Sequence, residues 1–528
     1  MNHYPDPCTI TVSRFYFTVK WPTPRVIQAV YALSHEYTQL GLVYDYKTKR
    51  RSWKPIKTFG LYVDHGIEFR FHIGQLKEFL ELLRRNNVDQ SSYSVIYAED
   101  KAFPNIDLPI KSHWKFYGYQ NDAHSFVVDD NSVENSRPLV IIPPGFGKTL
   151  IASRCASTLG KRLAVACIGG YVDKWTKDLQ DNLDIDKSEI CVIKGADSLQ
   201  RASFYPTSGL PLPKAFVISI NTTSKWYDLY EESKTNPLLE AYGCLPENLM
   251  SHLGIGTVVM DEVHQHPFAV FRFMCYNDAL KTISLTATLL SKEQTIRRLQ
   301  SMMFPQSKRF DDVELPKYAY VHACGYQIMN FSTSKLQTTE FNQTSYSHAA
   351  FENSIMSKRQ RVVKSQYYKM ILDLADRTYV KNRVDGDKLA IYVFTKQMAK
   401  ELVEEIKERF PQFDTRWYLH ESDYEDVHEP DIRVTTVLKA GTAIDIKGLR
   451  YIIQTISMDS PNANVQCLGR LREIKNRTHD NDVHYYQIYC TGIKKHLDYH
   501  ANRSELFKNM IKEQSEEFLG TIYPSCSN

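Results

Sequence analysis

The sequence predicts an α/β protein: two parallel-sheet lobes preceded by a small α+β N-terminal domain. Three observations carry this expectation. The chain has 528 residues, more than a single hydrophobic core organises. From Lys111 onward, short apolar stretches alternate with helical and polar ones, the pattern of parallel βαβ units. Between Leu139 and Leu159 an apolar strand, a glycine loop and a helix follow one another directly.

In order, Thr11–Trp21 reads as a strand, Arg25–Leu40 as a helix, Phe69–Ile73 as a strand and Gln75–Arg85 as an amphipathic helix. These make up the N-terminal domain, residues 1–110, which carries no nucleotide-binding signature. The strands expected in the first lobe (111–312) are Leu139–Ile142, Leu163–Cys167, Ala215–Ile220, Thr257–Met260 and Thr282–Leu285. Those of the second lobe (313–517) are Tyr318–His322, Leu389–Phe394, Ile432–Val437 and Tyr451–Thr455. The Pro-containing polar stretch from Phe304 to Lys317 separates the lobes, and 518–528 reads as a loose tail.

Composition excludes several classes. With 43% hydrophobic and 24% charged residues, the chain is no disordered polymer. A net charge of +4 means that any nucleic-acid contact comes from local basic patches. The 10 cysteines form no CxxC pair, which argues against a zinc ribbon and for free thiols in a reducing compartment. The N-terminus has no apolar signal core, and no run of about 18 apolar residues suggests a membrane span.

Leu139-Val140-Ile141-Ile142 leads into Pro143-Pro144-Gly145-Phe146-Gly147-Lys148-Thr149. Glycines there let backbone N–H groups approach phosphate oxygens. Lys148 supplies a positive charge for β and γ phosphates, and the Thr149 hydroxyl suits Mg²⁺. Ile142 stands where the longer GxxxxGK[ST] pattern has its first glycine, so the shorter PxGxGKT form is present. Farther on, Val258-Val259-Met260 ends in Asp261-Glu262-Val263-His264. A carboxylate pair at a strand end suits metal binding through water by Asp261 and polarisation of an attacking water by Glu262. In Ser284-Leu285-Thr286-Ala287-Thr288, the hydroxyls of Ser284, Thr286 and Thr288 are placed to bond the acidic motif and relay the ATP state. His264 and His266 lack a third ligand nearby in sequence, so His264 is read as a coupling residue and not as a metal ligand.

In the second lobe, Gln466, Gly469 and Arg470 share one face of a helix at i, i+3 and i+4. Facing a phosphate loop, Arg470 would act as an arginine finger.

These motifs, in this order, resemble those of superfamily 2 helicases of the DExH type, in particular the phage UvsW-like and XPB-like DNA helicases. PPGFGKT is similar to their motif I, DEVH to motif II, SLTAT to motif III, AGTAID to motif V and QCLGRLR to motif VI. The resemblance covers roughly Lys111 to Glu516 and implies two RecA-like lobes. It implies ATP contacts by Gln120, Pro144, Gly145, Phe146, Gly147, Lys148, Thr149, Gly441, Asp445, Arg470 and Arg472. It implies nucleic-acid contacts near Gly170 and Lys174, at Asn221 and Thr222, and at Phe394 and Thr395. One departure stands out. Glu473 occupies the usual place of the second motif VI arginine, and Arg472 falls one residue early. On a continuous helix, Arg472 lies about 200° around from Arg470.

Six positive charges flank Trp53 between Lys47 and Lys57. Lys49, Arg50, Arg51 and Trp53 are the expected DNA grip of the N-terminal domain, cations for phosphates and a ring for exposed bases.

The resemblance implies an ATP- and Mg²⁺-dependent helicase or translocase that unwinds or branch-migrates duplex, forked or branched DNA in replication, recombination or repair. Two alternatives stay open: a viral transcript-release helicase acting on RNA–DNA hybrids, and an ATP-gated DNA-binding motor subunit without strand separation. The expected setting is the cytoplasm of a bacterial or virus-infected host cell. The chain is expected to act as a monomer or weak oligomer, neither secreted nor membrane-spanning.

Overall fold

The computed structural model describes residues 8–45, 50–63, 67–130, 135–232, 235–289, 291, 293–311, 317–331, 336–339, 345–418, 430–436, 446–472 and 482–524. The chain divides into two compact units. One comprises Met1–Ile142 with Phe146–Val313, the other Glu314–Asn528 with Pro143–Gly145.

The first unit opens with β1 (Cys8–Val12) and β2 (Tyr16–Lys20), then a hairpin of β3 (Thr38–Asp45) and β4 (Arg50–Thr58). β5 (Leu61–Val63), β6 (Glu68–His72) and β7 (Tyr93–Tyr97) follow. Five strands form a sheet in the order β5-β6-β2-β1-β7, and the hairpin stands apart as its own two-stranded sheet. The single strand expected over Thr11–Trp21 is therefore two antiparallel strands, folded back by a turn in which Ser13 N–H donates to the Tyr16 carbonyl at 2.8 Å. The helix expected over Arg25–Leu40 runs Pro24–Glu36 and yields to β3. Its end is set by Thr38, whose hydroxyl donates to the Ser34 carbonyl at 2.7 Å.

Seven strands follow in the same unit: β8 (Leu139–Ile141), β9 (Arg162–Cys167), β10 (Ile190–Ile193), β11 (Ala215–Ser219), β12 (Ile255–Met260), β13 (Lys281–Thr286) and β14 (Arg309–Phe310). They form a parallel sheet in the order β10-β11-β9-β12-β13-β8-β14. Its central strands β9, β11, β12 and β13 are buried along their whole length, as a sheet covered on both faces requires.

The N-terminal sheet and this parallel sheet share one continuous core, from Phe17, Phe71 and Phe79 to Phe271, Met274 and Ile255. Arg70 is embedded in it at 2% exposure, paired with Glu68 and Glu247. Its guanidinium lies over the rings of Tyr16, Tyr276 and Tyr230 at 5.3, 4.9 and 5.8 Å. Two carboxylates and three ring faces together offset the cost of burying this charge. The linking segment is laced to the parallel-sheet part, with Ile106 N–H on the Gly160 carbonyl and Lys111 N–H on that of Asn182, both at 2.9 Å.

The second unit has β15 (Ala319–Ile328), β16 (Lys388–Val393), β17 (Thr415–Tyr418), β18 (Ile432–Thr436), β19 (Leu449–Gln454), β20 (Val483–Cys490) and β21 (Glu513–Ile522). They too form a parallel sheet, ordered β17-β18-β16-β19-β20-β15-β21. β21 pairs with β15 as far as Ile522, so the tail expected from 518 is sheet for its first half; Phe518–Ile522 continue a ladder that starts at Glu513. A buried pair, Arg450 with Asp387 at 3.3 Å, ties the start of β19 to the loop before β16.

All nine cysteines among the described residues are free. Among those residues no helix is long and apolar enough to cross a membrane.

Candidate functional site

The glycine loop leaves β8 through Ile142, whose N–H meets the Thr286 carbonyl at 3.0 Å and so carries the pairing with β13 one residue further. Gly145 and Gly147 have φ of +91° and +81°, a region that favours glycine. A Cβ at Gly147 would also come within 2.5 Å of the Gln120 amide nitrogen. The helix Lys148–Leu159 begins there, with its first N–H groups free of helical partners. This cradle fits a phosphate chain.

At the end of β12, Lys148 Nζ lies 3.2 Å from Glu262 Oε1, both side chains largely buried. Glu262 has φ of +50°, strained for a residue with a Cβ and concentrated where the carboxylate must point at the lysine. Asp261 accepts from Trp175 Nε1 at 2.8 Å through Oδ2 and from Glu262 N–H at 3.0 Å through Oδ1. Burial and the neighbouring Glu262 charge hold the Asp261 carboxyl above its usual range. Burial also pushes Glu262 up, but the Lys148 ammonium, with a further pull from Lys174, outweighs it and keeps this carboxyl below its usual range. Two adjacent carboxyls thus have their affinities for protons driven apart.

His264 joins this pair to β13. Thr286 Oγ1 donates to the Thr288 carbonyl at 2.6 Å, so its lone pairs accept from His264 Nδ1–H at 2.7 Å and from Thr288 N–H at 3.3 Å. The same His264 nitrogen lies 3.3 Å from Glu262 Oε2. Burial holds the His264 imidazole below its usual value against the pull of Glu262, so the ring is neutral with its proton on Nδ1. Ser284, expected in the same relay, is fully buried in β13, and its hydroxyl meets no partner among the described residues.

Gln120 is 3% exposed. Its Oε1 accepts from Tyr117 N–H at 3.0 Å, and its Nε2 donates to the Phe146 carbonyl at 3.3 Å. The Tyr119 hydroxyl donates to the same carbonyl at 3.1 Å. Gln120 therefore braces the glycine loop. Two residues of the helix Val172–Asn182 have a place at the acid pair and the glycine loop that the sequence did not suggest: Trp175, expected only at the end of a nucleic-acid-contacting stretch from Gly169, and Asp178, whose half-buried carboxyl is bonded to Thr149 and raised by burial against the pull of Lys174. Their i, i+3 spacing on an amphipathic helix was the signal available. Lys174, expected at nucleic acid, lies 3.7 Å from Asp178 and also draws the Asp261 and Glu262 carboxyls down.

The other sequence candidates lie as follows. Gly170 sits in a turn, open on its Cβ side. Asn221 and Thr222 occupy the first turn of the helix Ile220–Glu231, where the Thr222 hydroxyl accepts from Gly195 N–H at 2.8 Å. Trp53 is 69% exposed on β4, beside Lys54 and Lys57. Arg50 and Arg51 have their backbone in β4, and Lys49 lies outside the described residues.

In the second unit, Phe394 is exposed just past the end of β16, and Thr395 caps the helix Lys396–Arg409 by accepting from Met398 N–H at 3.2 Å. Gln466 lies in the helix Pro461–Leu468, but that helix stops short of Arg470. Gly469 forms its cap, and Arg470 and Leu471 N–H turn back to Cys467 and Leu468 in tighter three-residue turns. The expected helical face joining Gln466 to Arg470 is therefore broken by glycine, and the 200° separation from Arg472 no longer applies. Gly441, Asp445 and Glu473 lie outside the described residues.

No family model matches the chain. Among curated proteins it is similar to the general transcription and DNA repair factor IIH helicase/translocase subunit XPB of Schizosaccharomyces pombe. There it is 21% identical over 463 residues, 85% of this chain and 53% of that one. It is also 21% identical over 425 residues to the XPB/SSL2 subunit of Saccharomyces cerevisiae, 78% of this chain and 45% of the relative. The chain spans about half the length of these relatives. Among solved structures, T4 UvsW matches with a TM-score of 0.36 and 11% identity, over 97% of this chain and 100% of its own. S. cerevisiae Dbp5 bound to RNA and ADP BeF3 matches with a TM-score of 0.45 and 12% identity, over 77% of this chain and 91% of its own. The chain thus carries its glycine loop and its acid pair on one of two parallel sheets, and in sequence it is similar to the XPB helicase/translocase subunits.

Proposed function

We propose that the chain is a DExH-type motor that hydrolyses ATP and spends the cycle moving along, unwinding or branch-migrating DNA. The observation that carries this reading is the Lys148–Glu262 pair at 3.2 Å, with Asp261 beside it, at the mouth of a glycine cradle. In this reading Lys148 leaves Glu262 for the phosphates of ATP. Glu262, released by the lysine, then accepts a proton from the attacking water. Thr149 and Asp261 would hold Mg²⁺, which when bound neutralises charge on the phosphoryl oxygens. His264 reports the state of Glu262 to Thr286 and Thr288 at the end of β13. Arg470 of the second sheet serves as the arginine finger.

The same reading assigns Trp53 and the basic residues around it, with Gly170, Asn221, Thr222, Phe394 and Thr395, to nucleic acid. It places the protein in replication, recombination or repair, as a monomer or weak oligomer in the cytoplasm of a bacterial or virus-infected cell. Its parts would be a grip (1–110) and two motor lobes (111–312 and 313–517).

The test is a panel of duplex, fork, four-way junction, D-loop and RNA–DNA hybrid, each assayed for ATPase stimulation and strand displacement. Junction- or fork-stimulated ATPase with displacement is the expected result. Preference for the hybrid would move the assignment to transcript release, and stimulation without displacement to an ATP-gated binding subunit. Absence of ATPase with every substrate would end the motor reading.

A further inference from the structure

One buried acid in the second unit is not used by any motif. Glu352, on the helix His348–Ile355, is 1% exposed. It reaches across the sequence to the end of β16. Its Oε1 accepts from Phe394 N–H at 2.8 Å and its Oε2 from Thr395 N–H at 2.5 Å. Those are the residues assigned above to nucleic acid. A carboxylate committed to two backbone donors fixes the strand end and the start of the helix Lys396–Arg409 together.

Behind it runs a chain of directed hydrogen bonds. Cys490 N–H donates to His496 Nδ1 at 3.0 Å, so the His496 proton sits on Nε2, facing the Tyr346 oxygen at 2.5 Å. Tyr346 then donates its own proton to His348 Nδ1 at 2.7 Å. That leaves the His348 proton on Nε2, which has no hydrogen-bond partner among the described residues and lies 4.0 Å from Glu352 Oε1. The tautomer set at β20 is thus passed to a buried N–H beside the carboxylate.

We propose that Glu352 is a positioning residue for nucleic acid: its carboxylate, backed by the Tyr346–His348–His496 chain, holds Phe394 and Thr395 in the geometry that meets the nucleic-acid backbone. This rests on the motor reading above and adds a pH dependence to it. Burial raises the Glu352 carboxyl to about 7, against the lowering pull of the Phe394 and Thr395 donors. The titratable groups that face it are His348 on its own helix, Tyr346, and Tyr367 and Tyr368 on the helix Arg361–Ala375, with His496 on the helix Lys494–Phe507 behind His348. Burial pushes His348 down to about 3 and His496 well below its ordinary value, and raises all three tyrosines, so none of them changes charge near neutrality. Protonation of Glu352 turns one acceptor oxygen into a donor facing an N–H, and the strand end loses one of its two anchors.

The experiment measures the dissociation constant of a labelled forked DNA at fixed salt, at about pH 8 and about pH 6, for the full chain and for Glu352→Gln. Wild-type affinity should fall about tenfold on acidification, the equivalent of one charge-assisted hydrogen bond. Glu352→Gln should bind about tenfold more weakly at the higher pH and lose the pH dependence. Wild-type-like binding by a folded Glu352→Gln at both values overturns the proposal. Should that variant fail to fold, amide exchange at Phe394 and Thr395 in the wild type decides. Protection lost below about pH 7, after correction for intrinsic rates, supports the proposal, and unchanged protection overturns it. A wild type that binds DNA with no pH dependence defeats only the role of Glu352. A wild type with no DNA-stimulated ATPase defeats the motor reading itself.

Discussion

After its first strand, β8, the first parallel sheet turns through two left-handed glycines into the helix that starts at Lys148. After its fifth strand, β12, it presents Asp261 and Glu262. The second sheet has neither. Its first strand, β15, runs on to Met329 and Asn330, and its fifth, β19, leads to buried Thr455, whose hydroxyl donates to the Tyr392 carbonyl at 2.9 Å. Yet the scaffolds are the same. Counting β8 to β14 as 1 to 7, and β15 to β21 likewise, both sheets read 3-4-2-5-6-1-7. A shared topology therefore says nothing about which half does chemistry; the residues at the strand ends decide.

The largest expected effect tests whether the second sheet contributes to catalysis at all. Arg470→Ala should lower stimulated ATPase turnover by about 10³-fold or more, as loss of an arginine finger does. Near-normal turnover would leave the second sheet a passive copy. Arg472→Ala, assayed alongside, should have the smaller effect, and the reverse order would transfer the role. Next, on the first sheet, Glu262→Gln should reduce kcat by about 10²–10³-fold in single-turnover assays. In the free protein the ionised state of Glu262 is favoured below the ordinary carboxylate range, so at saturating DNA the wild-type kcat/KM for ATP should not fall with acid until pH drops through that range. A loss beginning near neutrality would assign the base to another group. Trp175→Phe should cost about tenfold in kcat, because Asp261 loses a donor worth a charge-assisted hydrogen bond and its carboxyl rises further.

The smallest effect separates the two halves by stability. Glu352 is raised in the folded protein, so its contribution is fully present below its unfolded value, near 4.5, and is lost as pH rises to about 7. That amounts to about 3 kcal/mol. Denaturant midpoints of the second unit should fall over that window in the wild type and not in Glu352→Gln. Equal slopes in both would show that the group titrates normally. Ionisation, which the proposed DNA contact requires, is thus opposed by folding.

The glycine loop, the adjacent acids and most strands of both sheets were legible in the sequence as structure, because buried parallel strands read as unbroken apolar runs and the loop sits hard against one. Features set by tertiary contact were not. Nothing local in Thr11–Trp21 announces a reversal at Ser13. The apolar period continues past Glu36, although the backbone does not. Gly469 was visible as a helix breaker, but its spacing from Gln466 suggested a face. Trp175, Asp178 and Glu352 act through partners far away in sequence, with Glu352 reaching Phe394 and Thr395 across more than one element, and no periodicity records such pairings.

The cage around Arg70 has a practical consequence for dissecting the chain. A fragment beginning at 111 would keep every motif and lose the partner of half its core. Tyr230, Tyr276 and Phe271, now covered by Arg70 and Phe59, would face water. Glu247 would keep its charge without its guanidinium. Such a fragment is expected to aggregate during expression, so a workable truncation keeps the N-terminal sheet.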